Sequence, residues 1–163
     1  MKKYISLFLL AGFGLMGQNE VMTPKKLWEL GRVSLDAVSP DGKSMVYGVS
    51  RYDLEANSGN RDLYLMEIKS GKITQLTDLA GGEYGAHFLN NGVAFNHRGQ
   101  LHWVDLKGQS QKPLTNIEGG ISGAKAYKLA DGSVKILFSK SFKTAETPAE
   151  MYPDLPKAEF RVM

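Results

Sequence analysis

Short apolar runs separated by turns of Gly, Asn and Asp make up the chain from Arg32 onward. Runs of that kind predict an antiparallel all-β architecture, because a strand half buried in a sheet needs only a few residues before the chain must turn back. Ahead of them, the segment Thr23-Pro24-Lys25-Lys26-Leu27-Trp28-Glu29-Leu30-Gly31 predicts one short helix. Thr23 can accept from a free amide of the first turn, Pro24 suits the first helical position because its missing N–H needs no partner there, and Gly31 marks the stop. This helix reads as a strap or plug, with Trp28 placed to pin it.

The apolar runs repeat. Asp62 to Thr77 (DLYLMEIKSGKITQLT) aligns without a gap on Gln100 to Thr115 (QLHWVDLKGQSQKPLT) at an offset of 38 residues, and nine of the sixteen positions are identical or similar. That offset is close to the ~40–45 residues of a propeller blade. Leu63 falls on Leu101, Tyr64 on His102, Leu65 on Trp103, and Leu76-Thr77 on Leu114-Thr115. Upstream of each window lies a hairpin turn: Asp41-Gly42 before Met45-Val46-Tyr47, Asn91-Gly92 before Val93-Ala94-Phe95, and in a third copy Asp131-Gly132 before Val134 to Phe138. Asp-Gly and Asn-Gly are strong hairpin signals, since glycine takes the positive φ that the turn requires. Each unit therefore contains four antiparallel strands, which describes a β-propeller blade. A generic β-sandwich competes with this reading, but an ungapped repeat is not expected of one.

The first blade spans about Arg32 to Thr77 and the second about Tyr84 to Thr115, while a third begins near Ile121 with its first two strands. From Lys143 the text changes to TAETPAEMYPDLPKAEFRVM, with three prolines and no clear alternation. A ring of seven or eight blades needs roughly 280–360 residues at this repeat length, so at 163 residues the chain is expected to be a piece of one. The organisation read from the sequence is a signal peptide over residues 1–17, a short helical strap over 18–31, and a partial β-propeller over 32–163. Ile136, Leu137 and Phe138 are expected to lack covering strands, which favours association, homo-oligomers included. The polar connection Arg51 to Arg61 is longer than its counterpart around His97 and Arg98. Successive hairpin loops leave a meander at alternate ends, so this one is expected opposite the Ser39 to Lys43 turn, as a mobile loop.

Charge and composition narrow the setting. The chain is 42% hydrophobic and 23% charged, with a formal net charge of +3. Without Lys2 and Lys3 the balance is 18 basic against 17 acidic residues, or +1, and no Lys/Arg cluster interleaved with aromatics remains, so a nucleic-acid partner is set aside. Lys2 and Lys3, the apolar Ile5 to Leu10, and the small residues Ala11, Gly12, Gly14 and Gly17 follow the order of a secretory signal peptide, with cleavage after Gly14 or Gly17. The apolar stretch is shorter than the ~20 residues of a spanning helix, and the absence of cysteine excludes disulfides, thiolate metal sites and a lipid-attachment cysteine. A periplasmic or secreted location is expected.

Ser39-Pro40-Asp41-Gly42-Lys43, the strand ending in Tyr47, Leu63-Tyr64-Leu65 and the closing Gln75-Leu76-Thr77 resemble the repeat of TolB-like propellers, which also builds the N-terminal domain of the prolyl oligopeptidase family. The opening helix leading into Arg32-Val33-Ser34, together with Tyr152-Pro153-Asp154-Leu155-Pro156-Lys157-Ala158, is similar to the bacterial dipeptidyl-peptidase and acylaminoacyl-peptidase branch of that family. The resemblance implies an exported serine exopeptidase in which the propeller gates access to an α/β-hydrolase domain. That domain would hold a Ser, Asp, His triad on a G-x-S-x-G elbow and act on short peptides. The alternative is a non-catalytic TolB-like propeller that binds envelope proteins.

No catalytic, cofactor-binding or metal-binding residue is assigned to this chain. Gly120-Ile121-Ser122-Gly123-Ala124 departs from the elbow at Ala124 and precedes a strand; Gly42-Lys43-Ser44 lacks the first glycine of a phosphate loop and reads as a turn. His87, His97 and His102 have no zinc-site spacing, and His102 sits at the repeat position of Tyr64. Asp53, Glu55, Asn57 and Asn60 lack the glycine and terminal glutamate of a calcium loop. Trp103 aligns with Leu65 and reads as blade core.

Overall fold

The computed structural model describes residues 22–142. The expected signal peptide and the proline-rich stretch from residue 143, with Tyr152 to Ala158 inside it, lie outside the described residues. The helix forms as the capping pattern predicts: α1 (Pro24–Glu29) begins with the Lys26 amide donating to Thr23 Oγ1 at 3.1 Å. It ends at Glu29, two residues before Gly31, and Leu30 between them is extended at φ −69° and ψ 130°.

Ten strands follow. The first antiparallel sheet contains β1 (Arg32–Val38), β2 (Ser44–Asp53), β3 (Ser58–Glu67) and β4 (Ile73–Gln75), in that spatial order. The second repeats it with β5 (Tyr84–Leu89), β6 (Gly92–His97), β7 (Gln100–Asp105) and β8 (Gln111–Pro113), and the third consists of β9 (Ser122–Lys128) and β10 (Val134–Ser139). The first strands of successive sheets, β1 with β5 and β5 with β9, lie in contact. Among the described residues, no helix is long and apolar enough to cross a membrane.

The sequence repeat is also a repeat of hydrogen bonds. Thr77 Oγ1 accepts from the Leu63 amide at 2.8 Å, and Thr115 Oγ1 from the Leu101 amide at 2.9 Å. Tyr47 stacks on its cross-strand partner Tyr64 as Phe95 stacks on His102. The Ser39 to Lys43 segment is the expected turn. Ser39 Oγ donates to Asp41 Oδ1 at 2.6 Å and accepts from the Ser44 amide at 2.9 Å, while Gly42 takes φ 68°.

Strand periodicity divides the core into two layers. Val93 and Phe95 of β6, with Val104 of β7, join Val46, Leu63, Leu76 and Ala86 between the first and second sheets. Ala94 of β6 and Leu101 of β7 point the other way and join Leu89, Ile121, Ala124 and Ala126 between the second and third. Trp103 packs against this second layer, as expected of a core position, and its Nε1 donates to the Leu89 carbonyl at 3.2 Å. The outer flanks are open: Leu35 on the far face of the first sheet is 61% exposed and Leu137 of β10 is 71% exposed. Ile136 departs from the expectation, because it faces the second layer and packs against it.

One expected loop is mostly strand. Arg51 to Asp53 and Ser58 to Asn60 pair as a continuation of β2 and β3, leaving Leu54 to Asn57 as the turn. The register places that turn at the opposite end of β2 from Ser39 to Lys43, as the strand count requires. Polar residues can pair here because the extension projects past the core, and its tip is closed by Asp53 Oδ1 accepting from the Glu55 and Ala56 amides, both at 2.9 Å. Trp28 of α1 meets Tyr52 edge-on at 5.4 Å, with the Arg32 guanidinium over both rings, so the helix is pinned to this hairpin.

Phe95 is fully buried in the first core layer. Phe95→Ala is expected to cost about 3–5 kcal/mol in urea denaturation; a loss below about 1 kcal/mol would contradict the assignment of this layer as the main core.

Candidate functional site

The densest chemistry lies where the chain passes from the first sheet to the second. Gly81 to Glu83 run beside Arg61 of β3: the Arg61 amide donates to the Gly81 carbonyl and the Glu83 amide to the Arg61 carbonyl, both at 3.1 Å. The Arg61 side chain, 5% exposed, crosses β2 over Gly48. Its Nη2 donates to Ser34 Oγ at 2.7 Å and to Asp36 Oδ2 at 2.8 Å on β1, and its Nη1 donates to the Glu83 carbonyl oxygen. Tyr84 lies under the guanidinium, 5.3 Å from ring centre to Cζ. A Cβ on Gly48 would overlap that guanidinium, so only glycine leaves room for the crossing.

The Glu83 carboxyl completes the cluster at 0% exposure. Oε2 accepts from Thr77 Oγ1 at 2.8 Å, and Oε1 lies 3.2 Å from His97 Nδ1. Burial pushes the carboxyl up to about 7, reinforced by the nearby Asp62 and Asp78 and opposed by the Thr77 hydrogen bond and by Arg61. Burial, then the Asp78 charge, also raises Asp62. His102 stands edge-on to His97 at 5.5 Å, and burial followed by the neighbouring His97 lowers its pKa.

The second junction shows what is particular to the first. By the 38-residue offset, Glu83 corresponds to Ile121 and Arg61 to Gly99, and the backbone bond is kept, with the Ile121 amide donating to the Gly99 carbonyl at 2.7 Å. By strand register, Gly48 corresponds to Asn96, whose side-chain amide clamps Ala124 N and O at 3.0 and 2.9 Å. A short neutral clamp and an apolar plug in one junction are thus replaced in the other by a guanidinium, two carboxylates and an imidazole. This arrangement can hold a charge balance and an exchangeable proton. The hydroxyls Ser34 Oγ and Thr77 Oγ1 are both engaged within the cluster.

The other residues weighed from the sequence are dispersed. Ser122 opens β9, and its Oγ reaches only the Ser139 carbonyl, at 3.5 Å. Gly42-Lys43-Ser44 leads from the turn into β2. His87 accepts from the Ala126 amide at Nε2, 2.9 Å, which leaves Nδ1 to donate to the Gly85 carbonyl at 3.1 Å. Asp53 closes its hairpin, whereas Asn60 bridges Asp62 Oδ1 and the Gly81 amide. Among the described residues no group of three or more His, Asp or Glu is gathered to hold a metal ion. A groove of about 570 Å3 opens between the first two sheets at the Ser39 to Lys43 end, lined by Lys43, Glu67, Lys72 and Lys107 among others. Sequence reasoning missed Glu83 and Arg61; the signal was a charged residue at a repeat position that is apolar in the next copy.

Two curated proteins that share a name resemble the chain. The chain is 35% identical over 150 residues, 88% of its length, to a protein named dipeptidyl-peptidase 5 from Porphyromonas gingivalis. It is 25% identical over 152 residues to the protein of that name from Porphyromonas endodontalis. The chain spans about 22% of the length of these curated relatives. No family model matches it.

Arg61→Ala leaves Asp36 without its partner and is expected to cost about 3–5 kcal/mol. Gly48→Ala, which displaces the same guanidinium, should cost a similar amount, and the double variant little more than either. Fully additive losses in chemical denaturation would contradict the crossing.

Proposed function

We propose that this chain is the N-terminal part of an exported dipeptidyl peptidase of the prolyl oligopeptidase family, and that its sheets are the opening blades of a TolB-like propeller. The observation that carries the reading is the 35% identity to a dipeptidyl-peptidase 5 along 88% of the chain. The repeated four-stranded sheets, with their first strands in contact, support the propeller. In such a ring the first strands line a central passage, and the blades restrict entry to short peptides. The reaction itself, acyl transfer to a serine with an oxyanion hole stabilising the tetrahedral intermediate, belongs to a hydrolase domain that the described residues do not supply. The chain's contribution is to enclose and select. Residues 1–17 serve as the export signal, directing the protein to the periplasm or the exterior.

The test isolates the native protein from its producing cells with an antibody against residues 32–142. The captured polypeptide should be several times the mass of this chain, be labelled by a serine-reactive fluorophosphonate, and release chromogen from dipeptidyl substrates. The 163-residue chain by itself should turn over none. Capture of an unlabelled, inactive polypeptide built of further repeats would favour the envelope-binding propeller instead.

A further inference from the structure

The first junction contains two adjacent buried atoms, an acid and a base, that have no hydrogen-bond partner among the described residues. Glu83 Oε1 and His97 Nδ1 are 3.2 Å apart and both closed off from solvent, and neither completes an aligned hydrogen bond, with the other or with any other described residue. The second carboxyl oxygen is fixed by Thr77. Arg61, the permanent cation nearby, is engaged by Asp36, Ser34 and the Glu83 backbone oxygen, leaving the carboxyl without a cation of its own. Asp62 and Asp78 act on the carboxyl and His102 stands edge-on to His97, while Asp36 and Arg98 lie on neighbouring elements. Asp36 lies on β1 and Asp62 on β3; Asp78 follows β4; His102 is on β7. Arg98, in the β6–β7 turn, donates to the Ala80 carbonyl at 3.1 Å.

One proton held by the pair, on Oε1 or on Nδ1, makes it neutral overall, whether it is drawn as carboxylic acid with imidazole or as carboxylate with imidazolium. Removal of that proton to solvent leaves a net negative charge in a dry site beside Asp62 and Asp78, whichever tautomer His97 adopts. The same residue, Glu83, carries the backbone bond that fastens the connection to Arg61.

We propose that Glu83 and His97 form a proton-operated latch on the first junction: the one proton that this buried pair holds keeps the Gly81 to Tyr84 connection against β3, and its loss releases that connection. The second junction, with Ile121 in place of Glu83, has the same backbone bond and no such device. This inference does not depend on the peptidase reading.

The sign follows from the carboxyl. In the closed site it keeps its proton up to about 7, whereas an exposed glutamate releases it near 4.5. The closed state therefore holds more protons between those values, weakens as pH rises through that window, and levels off above it. Amide hydrogen exchange on the whole chain, corrected for intrinsic rates, tests this at pH 5.5 and 8.5. Opening at the Glu83 and Arg61 amides should rise roughly thirtyfold, while opening at the Ile121 amide changes less than about twofold. In Glu83→Gln the rise should vanish. Parallel behaviour of the Glu83 and Ile121 amides, or a rise that persists in Glu83→Gln, would overturn the latch. Should Glu83→Gln not fold, carboxyl 13C titration of the unaltered chain decides: a Glu83 midpoint near neutrality supports the latch, and an ordinary midpoint overturns it.

Discussion

Strand β6 has to serve two cores at once, and most of the architecture depends on how it does so. Val93 and Phe95 enter the layer shared with the first sheet, and Ala94 enters the layer shared with the third. Because side chains alternate with a period of two, a slip of one residue would send Phe95 into the alanine layer and Ala94 into the space that Phe95 fills. The register of the second sheet is therefore specified from both sides. The two layers also differ in kind. The first is filled by large side chains, whereas Ala94, Ala124 and Ala126 let β9 approach β6 closely.

The two junctions solve one problem with different chemistry. Each must fasten the connecting segment to the β2–β3 or β6–β7 end of the preceding sheet, and each uses a backbone hydrogen bond to do so. The second adds Asn96 and Ile121, a clamp and a plug whose state does not change with pH. The first adds Arg61, Asp36, Glu83 and His97, which must remain charge-balanced to stay buried. Such a junction is strong only while its protons are in place, which makes it the more conditional of the two.

Much of this was legible in the sequence. The offset between Asp62 to Thr77 and Gln100 to Thr115, with a hairpin turn upstream of each window, gave four strands to each of two units, because threonine, leucine and aromatic positions perform the same task in each copy. The hairpin extension was not legible: Arg51 to Asp53 and Ser58 to Asn60 carry no apolar alternation, having no core to face, and so resemble loop. The polar junction was hidden for a different reason. Glu83 stands in a Gly-rich stretch that reads as surface turn, and Arg61 falls one residue outside the repeated window. Only strand register shows that Gly48 vacates the space Asn96 fills in the next sheet. Long-range placement of that kind has no local signal.

The second sheet is buried on both faces, with the two faces of β6 committed to different neighbours. Side-chain NOE spectroscopy on the methyl-labelled chain tests it most directly. The Phe95 ring and Val93 methyls should show contacts with the layer containing Val46 and Leu63, while the Ala94 methyl should show contacts with the layer containing Leu101, Ala124 and Ala126. Contacts from the Ala94 methyl to Val46 or Leu63, or a Phe95 ring in contact with Ala124, would contradict the register and the two-layer packing built on it.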